Sequence, residues 1–285
     1  MTHISRRMWQ LTEPLHAVVY FTPEGRSATD GVGLRGFWMG YFASRVAPLG
    51  AVGPAIAVST FYGFHRGRAQ RALPDAWGFA PVENVLRART DGATAALRRL
   101  LTPTEPGALA EAADLLWTAA QSADTSGRVL GAANQALPRP ADPLEALWQA
   151  TTTLREQRGD GHVACLIAAD VSPAGGHILK IAAGEADSDL LRAARGWPDD
   201  EWNAEVVALR ERGWIDTTGR LTERGAAIRD AVEVSTDRAA SSPWDRLGAE
   251  KTDRLAALLR PMVARVAHAG ILPQPNPIGL VFDEK

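Results

Sequence analysis

Along most of the chain, apolar residues recur three and four positions apart, and prolines and glycines gather between the apolar runs. This period predicts a mostly α-helical protein. "GLRGFWMGYFASRVAPLG" (33–50) pairs Phe37 with Tyr41 and Trp38 with Phe42 at a spacing of four, and Pro48 and Gly50 close it. "GPAIAVSTFYGFHRGRAQRALP" (53–74) opens with a proline suited to a helix start and is predicted as one helix ending at Pro74. Further helices are predicted over 81–101, 107–121, 127–137, 142–157, 161–170, 187–195, 199–212, 222–239 and 249–269. The tail "LPQPNPIGLVF" is predicted to run extended across the surface.

Two stretches resemble each other. "RAQRALPDAWGFAPVENVLRAR" (68–89) and "AANQALPRPADPLEALWQATTTLR" (132–155) each read as a helix ending in Ala-Leu-Pro, a loop with a second proline, and another apolar helix. Duplication would make the chain two halves packed as an internal pseudo-dimer; the Ala-Leu-Pro match also arises readily in an alanine-rich chain. The halves are drawn as a helical, aromatic-rich domain at 1–140 and a winged-helix-like domain at 141–285.

The aromatic residues are skewed toward the first half: all three tyrosines and six of seven phenylalanines precede residue 80. They read either as a large aromatic core or as the wall of a pocket for a flat apolar ligand. The hydroxyls of Tyr20, Tyr41 and Tyr62 need partners if buried, and with Trp38 these side chains are the candidate ligand wall.

Composition narrows the function. A net charge of −2 gives no general attraction to nucleic acid or anionic membrane. The bases are nearly all arginine, with lysine only at Lys180, Lys251 and Lys285, which with abundant alanine points to a GC-rich genome. One cysteine, Cys165, excludes an intramolecular disulfide or a multi-cysteine metal site. The N-terminus lacks an apolar run of signal-peptide length and no stretch is long enough to span a membrane, so a cytoplasmic protein is expected. No His-Glu-x-x-His helix, Walker loop or Gly-x-Ser-x-Gly elbow is present, and "GAVGPA" (50–55) lacks the βαβ context of a nucleotide site.

The clearest local pattern is "WPDDEWNAEVVALRERGWIDTTGRLTERGAAIRDAVEVSTDRAA" (197–240). Trp214-Ile215-Asp216 and Arg220-Leu221-Thr222 are placed to pair as a small β-hairpin across Thr217-Thr218-Gly219, before a long helix. With "LRERGWI" (209–215) and "LTERG" (221–225), this resembles the winged helix of the MarR (multiple-antibiotic-resistance-regulator) family. The resemblance implies a recognition helix, a wing and a dimerisation helix, so a homodimer through 222–239 and 249–269 is one expectation. A DNA-reading helix should carry basic and amide side chains at its start. This one opens with Asp199, Asp200 and Glu201, followed by Glu205, which argues against DNA as a partner. Across the whole chain, "EPLHAVVYF" (13–21), "GYFASRVAPLG" (40–50), "REQRGDGHVA" (155–164) and "NPIGL" (276–280) resemble an actinobacterial family of similar length described as helix-turn-helix proteins.

"REQRGDGHVAC" (155–165) holds the densest candidate chemistry. Gly159 suits a helix C-cap and Asp160 the N-cap of a following helix, which explains the Gly-Asp-Gly as a joint. His162 would then lie on a first helical turn, where the dipole favours the neutral imidazole that a general base or a metal needs. Arg155 and Arg158, three apart, would make an anion site with that helix start, or else a solvated face paired to Glu145 or Glu156. Cys165 shares a helical face with His162, as a two-ligand metal site or an ordinary buried thiol. His16 with Glu13 at helical spacing is a second acid–base pair, or a core histidine. His65 reads as an exposed helix start; His3, His177 and His268 suggest no constellation. The expected function is a degenerate winged-helix scaffold binding an apolar or aromatic anion. Glu13, Tyr20, Trp38, Tyr41, Tyr62, Arg155 and Arg158 would contact it. Catalysis would use His16 or His162, either of which would be the axial ligand if haem were the cofactor. A specialised metabolite or a tetrapyrrole is the natural ligand class, and a MarR-like ligand-responsive regulator is the alternative.

Overall fold

The computed structural model describes residues 3–273 together with Asn276 and Ile278, and most of the tail expected to be extended lies outside them. Sixteen α-helices account for most of the described residues, with no strand among them. The first six are α1 (Ile4–Phe21), α2 (Pro23–Gly31), α3 (Gly36–Val46), α4 (Pro54–Phe61), α5 (Arg66–Gln70) and α6 (Ala76–Phe79). Next come α7 (Val82–Leu101), α8 (Pro106–Ser122), α9 (Val129–Gln135), α10 (Pro143–Ala168) and α11 (Pro173–Ala182). The chain continues through α12 (Ser188–Arg195), α13 (Asp199–Glu211), α14 (Glu223–Ala239), α15 (Ser242–Leu247) and α16 (Ala249–His268).

The starts follow from local chemistry. Proline occupies the opening turn of α2, α4, α8, α10, α11 and α15, where its missing N–H costs nothing. Asp142, Ser172, Asp187 and Thr222 accept backbone N–H bonds at the starts of α10, α11, α12 and α14.

Three apolar clusters organise these helices. The largest joins α1, α7, α8, α10, α15 and α16 around the fully buried Trp148, Leu147, Leu116 and Leu97. A second, aromatic cluster packs Phe42 from α3, Phe61 from α4 and Phe64 from the turn after it against Leu73 and Val85. A third joins α11, α13 and α14 through Ile178, Leu179, Trp202, Leu209 and Val232. Between them Arg89 is buried without a carboxylate partner. Its guanidinium donates to Ser44 O, Asn134 Oδ1 and Gln149 Oε1, tying α3, α9 and α10 to α7.

Three sequence expectations are corrected. The predicted helix over 53–74 ends at Phe61, because Tyr62 takes φ +52° and the chain turns before α5. The joint at Gly159-Asp160-Gly161 does not exist: α10 runs unbroken through it. Two interior glycines weaken a helix, but residues 144–157 are almost wholly buried and tertiary packing outweighs propensity. Asp160 caps a different helix, its Oδ2 accepting from Leu130 N and Gly131 N at 2.9 Å each at the start of α9.

The expected β-hairpin wing is also absent as strands, and a single antiparallel bridge, Ile215 to Leu221, stands in its place. Asp216 Oδ1 gathers Thr218 N, Thr218 Oγ1 and Arg220 N into a tight turn. Asp216 N donates to Arg220 O and Thr222 N to Trp214 O on either side of the bridge, and the pairing ends there because Thr222 already caps α14. The two Ala-Leu-Pro stretches share the order helix, turn, long helix, although the first inserts α6 before α7 and the second goes directly into α10.

Candidate functional site

The three clusters leave a cavity of about 360 Å³ where α1, α3, α10, α11 and α14 converge. Trp9, Phe61, Phe64, Leu166, Val171 and Val232 form its apolar wall. Among the described residues its lining includes seven basic side chains against four glutamates.

One pole is a buried ion network. Arg45 on α3 donates through Nε and Nη2 to Glu156 on α10, at 3.1 and 2.8 Å. Arg155 Nη1 reaches the same carboxylate at 2.7 Å, and its Nε lies 3.7 Å from Glu13 Oε1. Burial pushes the Glu156 carboxyl up, but Arg155 and Arg45 outweigh it and bring it to about 2. Glu13 goes the other way, raised because burial outweighs Arg155 and Glu156 adds to the rise, and its Oε2 has no hydrogen-bond partner. Arg45 Nη1 donates to Tyr41 Oη at 3.0 Å.

The other pole lies under α14. Arg158 Nη2 donates to Asp237 Oδ1 at 2.6 Å, while its buried Nη1 has no partner among the described residues. Arg6 pairs with Glu233 and Asp237, and Arg229 with Glu185. Lys180, lowered chiefly by burial, completes this side. His162 Nδ1 meets Thr236 Oγ1 at 2.9 Å, and burial holds the ring neutral; this replaces the expected helix dipole, since His162 sits mid-helix. For the same reason no helix start joins Arg155 and Arg158 as an anion site.

The sequence candidates therefore divide. Glu13, Tyr41, Tyr62, Arg155, Arg158 and His162 line the cavity together. Tyr62 spends its hydroxyl on Val171 O at 2.6 Å. His16, Tyr20 and Trp38 do not line it. His16 is buried with Nδ1 on Thr152 Oγ1 and Nε2 on Tyr20 Oη, and Glu13 does not orient it. Tyr20 packs behind Tyr41, ring centroids 5.0 Å apart, and Trp38 lies beneath the Arg68 guanidinium. Cys165 faces a different groove, with Ala164 and Ala168, so it does not meet His162.

Sequence reasoning missed Arg45, Glu156 as a site residue, Lys180, Arg195 and His177. The reading of His177 as unconnected is corrected: it lines the cavity, and its Nε2 contacts Gly63 O at 3.0 Å. Burial brings it to about 3. The lone lysine of 177–182 in an arginine-rich chain was a signal available for Lys180. The others depend on contacts across 100 residues or more of sequence.

Gly63 O also accepts from Trp197 Nε1 at 2.9 Å, which brings in the element beside the cavity. α12 ends at Gly196 in the left-handed conformation, Trp197 and Pro198 follow, and α13 starts at Asp199. Two helices across a three-residue turn with glycine at its head make a helix-turn-helix unit. The sequence profile of a helix-turn-helix family matches residues 5–273. The chain belongs to that helix-turn-helix family. No curated protein and no solved structure matches it.

The helix-turn-helix unit is docked by its turn. His65 N donates to Arg195 O at 3.0 Å, Arg68 reaches Ala193 O, and the His65 ring packs on Trp197 with Nε2 3.3 Å from Glu201. His65, expected to be exposed, is a half-buried N-cap of α5. The first turn of α13 carries Asp199, Asp200 and Glu201. No single helix among the described residues is long and apolar enough to cross a membrane.

Proposed function

We propose that this helix-turn-helix protein binds an apolar, aromatic, anionic small molecule in the cavity where α1, α3, α10, α11 and α14 converge. The observation that carries the reading is the excess of basic over acidic side chains on a wall that also holds Trp9, Phe61 and Phe64. Raising Glu13 toward its neutral form enlarges that excess, and the free Nη1 of Arg158 supplies a donor without a partner. A specialised metabolite encountered in the cytoplasm suits this chemistry.

The test is fluorescence titration with 8-anilinonaphthalene-1-sulfonate, an aromatic anion. Saturable binding that weakens in Arg158→Gln and Lys180→Gln is expected. Equal binding in wild type and both variants, with their folds intact, would overturn the reading. An absorption and native mass spectrum of freshly purified protein would separately reveal a retained ligand, including any haem.

The second reading is a MarR-like ligand-responsive transcriptional regulator, favoured by the helix-turn-helix family itself. Against it stand the acidic start of α13 and the docking of the turn on residues 63–68. On our reading the unit sits beside the cavity, to which α12 contributes Arg195, and its recognition surface is not used for DNA.

A further inference from the structure

Tyr41 differs from every other hydroxyl at the cavity. Its oxygen accepts from Arg45 Nη1 at 3.0 Å, and Arg195, whose guanidinium carbon lies 4.4 Å from the Phe64 ring centroid, adds a second positive charge that acts on it. Guanidinium groups only donate, so neither can take the tyrosine's own proton. Among the described residues that O–H donates no hydrogen bond, and a guanidinium donor on the oxygen favours the phenolate. The oxygen is also fixed in place, because Arg45 is clamped through two nitrogens by Glu156. Burial pushes the phenol up, yet Arg45, Arg195 and Arg155 together outweigh it and hold Tyr41 below the ordinary range, while burial raises Tyr20 and Tyr62.

Two of the buried histidines are less suited to proton transfer. His16 has both ring nitrogens occupied and does not line the cavity. His177, at about 3, is a weak base already engaged with Gly63 O.

We propose that Tyr41 is the acid–base residue of the cavity, exchanging a proton with a carbon acid, an apolar or aromatic carboxylic acid bearing a C–H bond next to a carbonyl. The inference rests on the binding reading above. A carbon acid is named because O–H and N–H protons exchange with water unaided, whereas a C–H proton needs a positioned base. The phenolate oxygen takes the proton, the C–H bond breaks, and its electron pair moves into the carbonyl to give an enolate. Charge passes from tyrosine to ligand and stays beside the same guanidinium groups. Return of a proton from Tyr41 to carbon regenerates both partners, so no co-reactant is consumed.

Phenylpyruvate is the probe, an aromatic acid with a benzylic C–H beside a ketone. Proton NMR in heavy water follows loss of the benzylic signal, and calorimetry follows binding. Wild type should bind it and exchange the benzylic proton faster than buffer. Tyr41→Phe should still bind it but lose the acceleration by about 100-fold or more. Bound phenylpyruvate that exchanges no faster than in buffer, or a Tyr41→Phe variant as fast as wild type, would overturn the proposal. Failure of phenylpyruvate to bind would also overturn it, while the anilinonaphthalenesulfonate titration decides the binding reading independently. A second measurement needs no ligand: with three tyrosines in the chain, the tyrosinate absorbance of wild type should show one ionising ahead of the others. That early phase should vanish in Tyr41→Phe; its survival there would overturn the assignment.

Discussion

Glu156 holds Arg45 through both carboxylate oxygens, Oε1 to Nε at 3.1 Å and Oε2 to Nη2 at 2.8 Å, although 111 residues separate them. Both side chains are under a tenth exposed, and Arg155 shares the same carboxylate. Removing Glu156 would leave Arg45 and Arg155 without their shared carboxylate. Glu156→Ala should therefore cost about 3–5 kcal/mol in urea denaturation. The paired change Arg45→Met with Glu156→Leu should cost less than Glu156→Ala, since it leaves one guanidinium, Arg155 beside Glu13, in place of two. A paired variant less stable than the single one would show that the network's geometry, and not charge compensation, dominates.

Stability should fall as pH drops below the ordinary histidine range, in part because of His177. The folded ring titrates at about 3 and the unfolded one near 6.5. The unfolded chain thus binds a proton first, so this contribution is complete above 6.5 and is lost as pH falls toward 3. His177→Gln, whose amide can still donate to Gly63 O, should flatten the dependence of the urea midpoint on pH between 6.5 and 4.5. An unchanged slope would mean that other groups govern acid sensitivity.

Asp160 has the opposite sign. Burial raises it to about 6 from an ordinary value of 3.8, despite the two N–H groups it accepts. The folded state therefore binds the proton first, and its contribution, full below 3.8, is lost as pH rises through 6. Asp160→Asn retains an oxygen for Leu130 N and Gly131 N and avoids that loss. It should be at least as stable as wild type at neutral pH, and thermal melts across this range would check it.

Gly159 separates stability from binding. A methyl group there would meet only Glu156 Oε2, at 3.8 Å, so it fits without a clash. Within a continuous helix, Gly159→Ala should add about 0.5–1 kcal/mol. Because the position lines the cavity, the same variant should bind anilinonaphthalenesulfonate less tightly than wild type. Paired melts and titrations would show whether the two effects part in this way.

DNA retention provides the remaining contrast. At low salt, where phosphate contacts are strongest, a gel-shift assay with the DNA flanking the protein's own gene should show no complex. Asp199→Lys combined with Asp200→Lys should not create one, because the turn before α13 is held against residues 63–68. A complex in wild type that dissociates steeply with salt would favour the regulator reading.

Periodicity and punctuation were enough to read the long helices α7, α8, α13, α14 and α16, because an amphipathic stripe and its end signals are local properties. They also placed Tyr41, Arg155, Arg158 and His162 among the candidates, since unusual side chains beside apolar runs can be seen without a fold. Local signals failed where distant packing overrode them. Gly-Asp-Gly at 159–161 reads as a joint, yet α10 runs on through it from a buried first half and Asp160 serves α9. Ile215 and Leu221 read as a wing, yet the pairing stops at one bridge because Thr222, directly after it, caps α14. His16 and Glu13 share a helical spacing but face different neighbours, Thr152 and Arg155. Arg45 with Glu156, and Gly63 with His177 and Trp197, could be found only in three dimensions. Helix period is written in side chains three or four apart, whereas a cavity depends on which helix faces meet across a hundred residues, and that is decided by packing.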